Sequence, residues 1–125
     1  MLSITHIHRC YLYRGRTDMR KGIDGLSGLV RNELGKDPLN GELFVFFNRR
    51  YNQIKLLLWE SDGFGLYQKK LERGTYELPE GNDTHHTIGS QELNLILQGV
   101  SLKSVRHRKR YHRGEKEFSL AILNS

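Results

Sequence analysis

Leu43-Phe-Val-Phe-Phe-Asn48 and Ile54-Lys-Leu-Leu-Leu-Trp59 are two short apolar runs, separated by the four polar residues Arg49-Arg50-Tyr51-Asn52. Each run has the length of a strand, and four residues suit a hairpin loop. Both runs are apolar at nearly every position, not only at alternate ones. A strand with that pattern is covered on both faces, so the hairpin is expected at the centre of a sheet.

Working outward towards the C-terminus, Ser61-Asp62-Gly63 has turn chemistry. Phe64–Leu71 reads as a third strand ending at Arg73-Gly74, and Thr75–Leu78 as a possible fourth. Pro79–Gly89 is polar and reads as a loop. Ser90 is placed to cap a short helix carrying Leu93, Ile96 and Leu97, which Gly99 closes. Towards the N-terminus, Cys10–Arg14 reads as a strand and Gly15–Asp18 as a turn, with Thr17 or Asp18 as a helix cap. Met19, Ile23, Leu26, Val30 and Leu34 then recur at steps of three and four, which puts one apolar face on a long helix. Gly35 is placed to end that helix, and Pro38 lies beyond it. Gly22, Gly25 and Gly28 fall inside it, and close packing against a sheet would account for them.

These elements predict an α+β fold: an antiparallel sheet of three to five strands with a central hairpin, one long helix, one short helix and a basic C-terminal extension. The expected division is a single domain over residues 1–100 and an extension over 101–125. The chain has 125 residues, 37% of them apolar, enough for one modest core. No apolar run approaches the roughly 18 residues of a membrane span. The N-terminus lacks the basic-then-apolar layout of a secretion signal, and one cysteine, Cys10, allows no intrachain disulfide. A cytoplasmic protein without membrane contact is expected. Net charge is +6, of which residues 101–125 supply +5. Charge concentrated in this way favours a polyanionic partner.

Two longer stretches carry a family resemblance. The first is Tyr11-Leu-Tyr-Arg-Gly-Arg-Thr-Asp-Met-Arg-Lys-Gly-Ile-Asp-Gly-Leu26. The second runs from Leu43 through Trp59 and Asp62-Gly63-Phe64 into Tyr67-Gln-Lys-Lys-Leu-Glu-Arg-Gly74. Together with Leu93–Val100 they resemble the TnpB (Orf2-like) accessory proteins of IS66 insertion sequences. The resemblance implies a role in transposition beside two other element-encoded proteins, a small TnpA and a large catalytic transposase, TnpC. It implies no enzymatic activity and no cofactor for this chain. The much longer RNA-guided nuclease that shares the TnpB name is a different protein.

Three basic groups are candidate nucleic-acid contacts. Arg14, Arg16, Thr17, Arg20 and Lys21, with Asp18 among them, surround the expected start of the first helix. Free N–H groups and the helix dipole attract phosphate there, and Arg can grip it with two bonds; alternatively, Asp18 simply pairs with Arg20 or Lys21. Asn48, Arg49, Arg50, Tyr51 and Asn52, with Lys55, form a basic hairpin tip with an aromatic ring able to stack on a base; the plain alternative is a charged loop. Lys69 and Lys70 point to opposite faces of their strand, so at most one can join that surface. Arg106, Arg108, Lys109, Arg110 and Arg113 form the densest charge, suited to salt-sensitive binding to any phosphate backbone or to an acidic protein. A transposase-docking adaptor, using this basic segment and the apolar Phe118–Leu123, is the competing reading.

Two further constellations are weaker. His6, His8 and Cys10 would share a strand face with donor types that suit zinc, but no fourth ligand is evident, and no metal is expected. Asp37 with Gln53-Ile-Lys55 resembles a restriction-type nuclease site in an altered order. No spacing singles out the three carboxylates that a two-metal transposase needs.

Overall fold

The structure is a computed structural model that describes residues 9–80 and 85–99. Five strands form one sheet: β1 (Cys10–Arg16), β2 (Leu43–Phe47), β3 (Gln53–Trp59), β4 (Phe64–Lys70) and β5 (His85–Ile88). Their spatial order is β4-β3-β2-β1-β5, which puts β2 at the centre. Helix α1 (Ile23–Asn32) connects β1 to β2, and α2 (Ser90–Gln98) follows β5.

The double-sided apolar pattern of the β2–β3 hairpin is explained by a helix on each face. On one face Cys10, Leu12, Val45, Phe47, Ile54 and Leu56 pack with Leu93, Ile96 and Leu97 of α2. On the other, Tyr11, Phe44, Phe46 and Leu57 pack with Leu26 and Val30 of α1 and with Leu34 beyond it. Alternation along each strand assigns neighbouring residues to opposite clusters. All five residues of β2 are fully buried.

Several expectations are corrected. The sheet is mixed: β1 pairs parallel with β2, and the remaining pairs are antiparallel. The cause is α1, because a crossover helix returns the chain to start β2 at the same end as β1. The fifth strand is not Thr75–Leu78, which has no regular structure, but His85–Ile88 within the stretch read as a loop. That strand is polar and lies at the sheet edge, with Ile88 buried, so it carries little hydrophobic signal.

Helix α1 is shorter than its apolar pattern suggested. Strand β1 runs on to Arg16, and the Thr17 N–H still donates to the Phe47 carbonyl (3.0 Å). Residues 18–21 then turn, with the Lys21 N–H on the Asp18 carbonyl, and Gly22 is the extended N-cap. Met19 therefore lies outside the helix. The helix ends at Asn32, and the chain turns away at the predicted Gly35, whose φ of +63° suits a residue without a Cβ. The Lys36 N–H reaches back to the Val30 carbonyl there (3.0 Å).

The glycines do not mark close helix–sheet packing. A Cβ at Gly22 or Gly28 would meet nothing within 4 Å, and one at Gly25 would meet only the Lys21 side chain. Close approach occurs instead at Gly15, where a Cβ would lie 2.2 Å from the Tyr13 ring. Tyr13 folds over Gly15 beside an irregularity in the β1–β2 register and meets the Phe46 ring edge-on at 6.2 Å. Helix α2 closes as expected, at Gly99 with φ +82°.

Candidate nucleic-acid interface

The β2–β3 hairpin tip is organised by Asn48. Its carbonyl accepts the Tyr51 N–H (3.1 Å), which closes a turn with Arg49 and Arg50 at its two central positions. Its side-chain oxygen accepts the N–H groups of Asn52 (3.0 Å) and Gln53 (2.9 Å), and its amide donates to the Asn52 side chain (2.6 Å). Tyr51 leaves the turn at φ +56°, a conformation that side chains other than glycine rarely adopt. It is held there by contact with the Phe47 ring at 5.7 Å and by its hydroxyl, which donates to the Arg14 carbonyl (3.2 Å). Its own carbonyl accepts the Tyr76 N–H (2.7 Å). The locked frame leaves Arg49 and Arg50 exposed at its end.

Beside this tip lies a cleft of about 710 Å³, lined by Met19, Asn48, Arg49, Arg50, Asn52, Gln53 and Lys70. Lys70 enters because it pairs in register with Gln53 across β3–β4. Of the two lysines weighed for this surface, Lys70 is exposed and Lys69 is half-buried, in keeping with opposite faces. No carboxylate lines the cleft, and Arg49, Arg50 and Lys70 form no ion pair among the described residues. The sequence reading left out Met19 and Gln53. Met19 enters because the Thr17 bond to Phe47 and the Lys55 bond to Lys21 hold its segment against the hairpin, which no local pattern reveals.

The first basic group is dispersed. Arg20 lies against Asp18, with Nη2 to Oδ2 at 2.7 Å and Nε to both oxygens at 3.0 Å. These bonds hold the exposed Asp18 carboxyl down at about 2. Arg14 turns back to donate to the Pro79 carbonyl. Thr17 is buried, whereas Arg16 and Lys21 are exposed. The expected helix entrance is also displaced, because α1 starts after Gly22 and not at Thr17 or Asp18.

Two members of the hairpin group are structural. Lys55 is 5% exposed, and its ammonium donates to the Lys21 carbonyl (2.7 Å), tying the hairpin to the residues before α1. Tyr51 is half-buried in the contacts above. The Lys55 side chain is not available to a ligand, and the residue that replaces it on the surface is Lys70. Arg106, Arg108, Lys109, Arg110 and Arg113 lie outside the described residues, as do His6 and His8.

The nuclease constellation is not assembled, and two members of the zinc constellation, His6 and His8, lie outside the described residues. Asp37 accepts the Leu39 N–H (2.9 Å) in the turn after α1, while the Lys55 ammonium sits before its start. Among the described residues no cluster of three metal-ligating side chains occurs. Cys10 is fully buried, and burial, with the nearby Glu42 carboxylate, pushes its thiol up to about 12. No helix among the described residues is long and apolar enough to cross a membrane.

The architecture defines a small mixed-sheet domain with a helix on each face and a cationic cleft at one hairpin. A family profile described as "IS66 Orf2 like protein" matches residues 8–107, and the chain belongs to that family of transposition-associated proteins from insertion sequences. Two proteins of Sinorhizobium fredii (strain NBRC 101917 / NGR234) are similar to it. Uncharacterized protein y4hO is 33% identical over 92 residues, which cover 74% of this chain and 80% of that protein. Uncharacterized protein y4jC is 31% identical over 91 residues, covering 73% and 78%. No solved structure matches.

Proposed function

We propose that this protein is a non-enzymatic accessory factor of an IS66-type element that binds DNA through the hairpin-tip cleft and assists a separate transposase. The observation that carries this reading is the grouping of Arg49, Arg50 and Lys70 around one cleft whose lining holds no carboxylate. Cations whose charge is not cancelled locally are the ones that displace counterions from a phosphate backbone. Arg49 and Arg50 are also fixed by a rigid turn, so their contacts set position as well as affinity. Arg16 and Lys21 add exposed charge, and the basic residues from Arg106 to Arg113 add affinity without placement. Family membership supports the setting, in which TnpC supplies catalysis and TnpA is the third component.

A mobility-shift titration with element-end DNA and with unrelated duplex tests the proposal. Binding that weakens steeply with salt is expected; no binding to either DNA at low salt overturns it. Deleting residues 104–113 removes five cations and lowers net charge from +6 to +1. It should weaken binding to every duplex and flatten the salt dependence. An unchanged salt slope would favour the transposase-docking reading for that segment.

A further inference from the structure

On the other side of the hairpin tip lies a second cleft, of about 390 Å³, lined by Arg14, Arg50, Tyr51, Thr75, Tyr76, Glu77 and Leu78. Its chemistry differs from that of the first. The first cleft combines three cations with amide side chains and has no aromatic ring. The second combines two tyrosines and a leucine with a few polar groups of both signs. Arg50 lines both clefts, so the two adjoin at the hairpin tip.

We infer that the second cleft is a nucleobase subsite, and that the protein takes an unpaired nucleotide of a DNA strand astride the hairpin tip. The inference rests on the nucleic-acid reading above and narrows it to single-stranded or locally opened DNA. The phosphate lies in the cationic cleft among Arg49, Arg50 and Lys70. The base lies in the aromatic cleft. A two-residue turn is short enough for one nucleotide to bridge, since consecutive Cα atoms are about 3.8 Å apart.

The aromatic wall is built before any ligand arrives. Tyr51, half-buried, supplies the accessible ring, and Tyr76, 3% exposed, backs it; both lean on Phe47, with ring centroids at 5.7 and 5.8 Å. A backbone bond joins Tyr76 to Tyr51, and Arg14 ties β1 to Pro79. Three separate chain segments are thereby fixed around one opening. Its volume falls within the range of about 300–1,000 Å³ common for small-ligand sites. Apolar ring surface with a few polar groups is what a base requires, because every base has a stacking face and hydrogen-bonding edges. A base inside a duplex is stacked and paired, and cannot enter a cleft of this kind without being taken out of the helix.

The test uses the full chain, a short DNA strand carrying one fluorescent adenine analogue whose emission falls on stacking, and the same strand annealed to its complement. Wild type should bind the single strand more tightly than the duplex and quench the analogue. Thr75→Phe, which fills the cleft, should weaken single-strand binding about tenfold, the loss of one stacked base. It should abolish the quench and leave duplex binding unchanged. Leu78→Ala, which removes part of the wall without adding bulk, should move the same readouts in the same direction by less. Circular dichroism establishes that each variant is folded. Equal affinity for duplex and single strand, or a folded Thr75→Phe variant that still quenches, overturns the inference while the broader DNA reading stands. Failure to bind either DNA removes both.

Discussion

Residues 14–21 and residues 48–53 are both rich in arginine, yet the fold uses their charges in opposite ways. In the first segment Arg20 is held by Asp18, Arg14 is turned to Pro79, and Thr17 is buried. In the second, Asn48 satisfies the turn's own backbone, and Arg49 and Arg50 are left exposed beside a cleft that Lys70 completes. The lesson is that cation count is a poor measure of available charge. What matters is whether local acceptors have already taken the cation. In 14–21 the acceptors are a neighbouring carboxylate and a loop carbonyl. In the hairpin the acceptor-rich Asn48 is spent on backbone N–H groups, and the arginines form no ion pair among the described residues. Lys55 crosses the two regions: by sequence it belongs to the hairpin, but its ammonium serves the carbonyl of Lys21.

Lys55 gives the largest expected effect. Lys55→Ala removes a buried stem and leaves the Lys21 carbonyl without its donor, which should cost about 2–4 kcal/mol of unfolding free energy. Urea denaturation measures this, and the DNA affinity of the remaining folded protein should stay near wild type. A stable Lys55→Ala protein that has lost binding would place the ammonium on the ligand and erase the distinction between the two regions. The double change of Arg49 and Arg50 to Ala comes next. Stability should stay within about 0.5 kcal/mol, as for exposed sites in general. The log–log salt slope of duplex binding should become shallower by about two.

Gly28→Ala tests the helix that lies between the two regions. Because a Cβ there meets nothing, the variant should be more stable by up to about 1 kcal/mol, read as a rise in melting temperature. A loss of stability would restore the packing explanation for the helix glycines. The smallest effect is expected for Arg20→Ala. Its charge is already balanced by Asp18, so duplex affinity should fall by less than about twofold, within the range expected for an exposed ion pair. A loss matching that of the Arg49/Arg50 variant would show that the Asp18–Arg20 pair opens on DNA.

Much of this architecture was legible in local pattern. The unbroken apolar runs of β2 and β3 announced a hairpin covered on both faces, and two helices cover it. Gly35 and Gly99 marked the helix ends because each needs a positive φ. The opposite orientation of Lys69 and Lys70 followed from strand alternation alone. Other features left no local trace. His85–Ile88 is a strand because β1 offers it an open edge, and its own residues carry almost no hydrophobic period. The parallel β1–β2 pair depends on where a crossover helix lands. The apolar step at Met19 fits a helix on paper, but the Thr17 bond to Phe47 keeps the chain in the sheet until the turn at Asp18.

By itself the sequence determined the type of every element but β5, the central hairpin, family membership and the excess of positive charge. Each is written in short-range periodicity, turn chemistry or residue identity. Which cations remain free was decided only by tertiary structure, because that depends on acceptors supplied from distant segments. Pro79 takes up Arg14, the Lys21 carbonyl takes up Lys55, and β4 brings Lys70 to Gln53. Pairings between residues so far apart along the chain are set by strand order and register, and no local pattern encodes them.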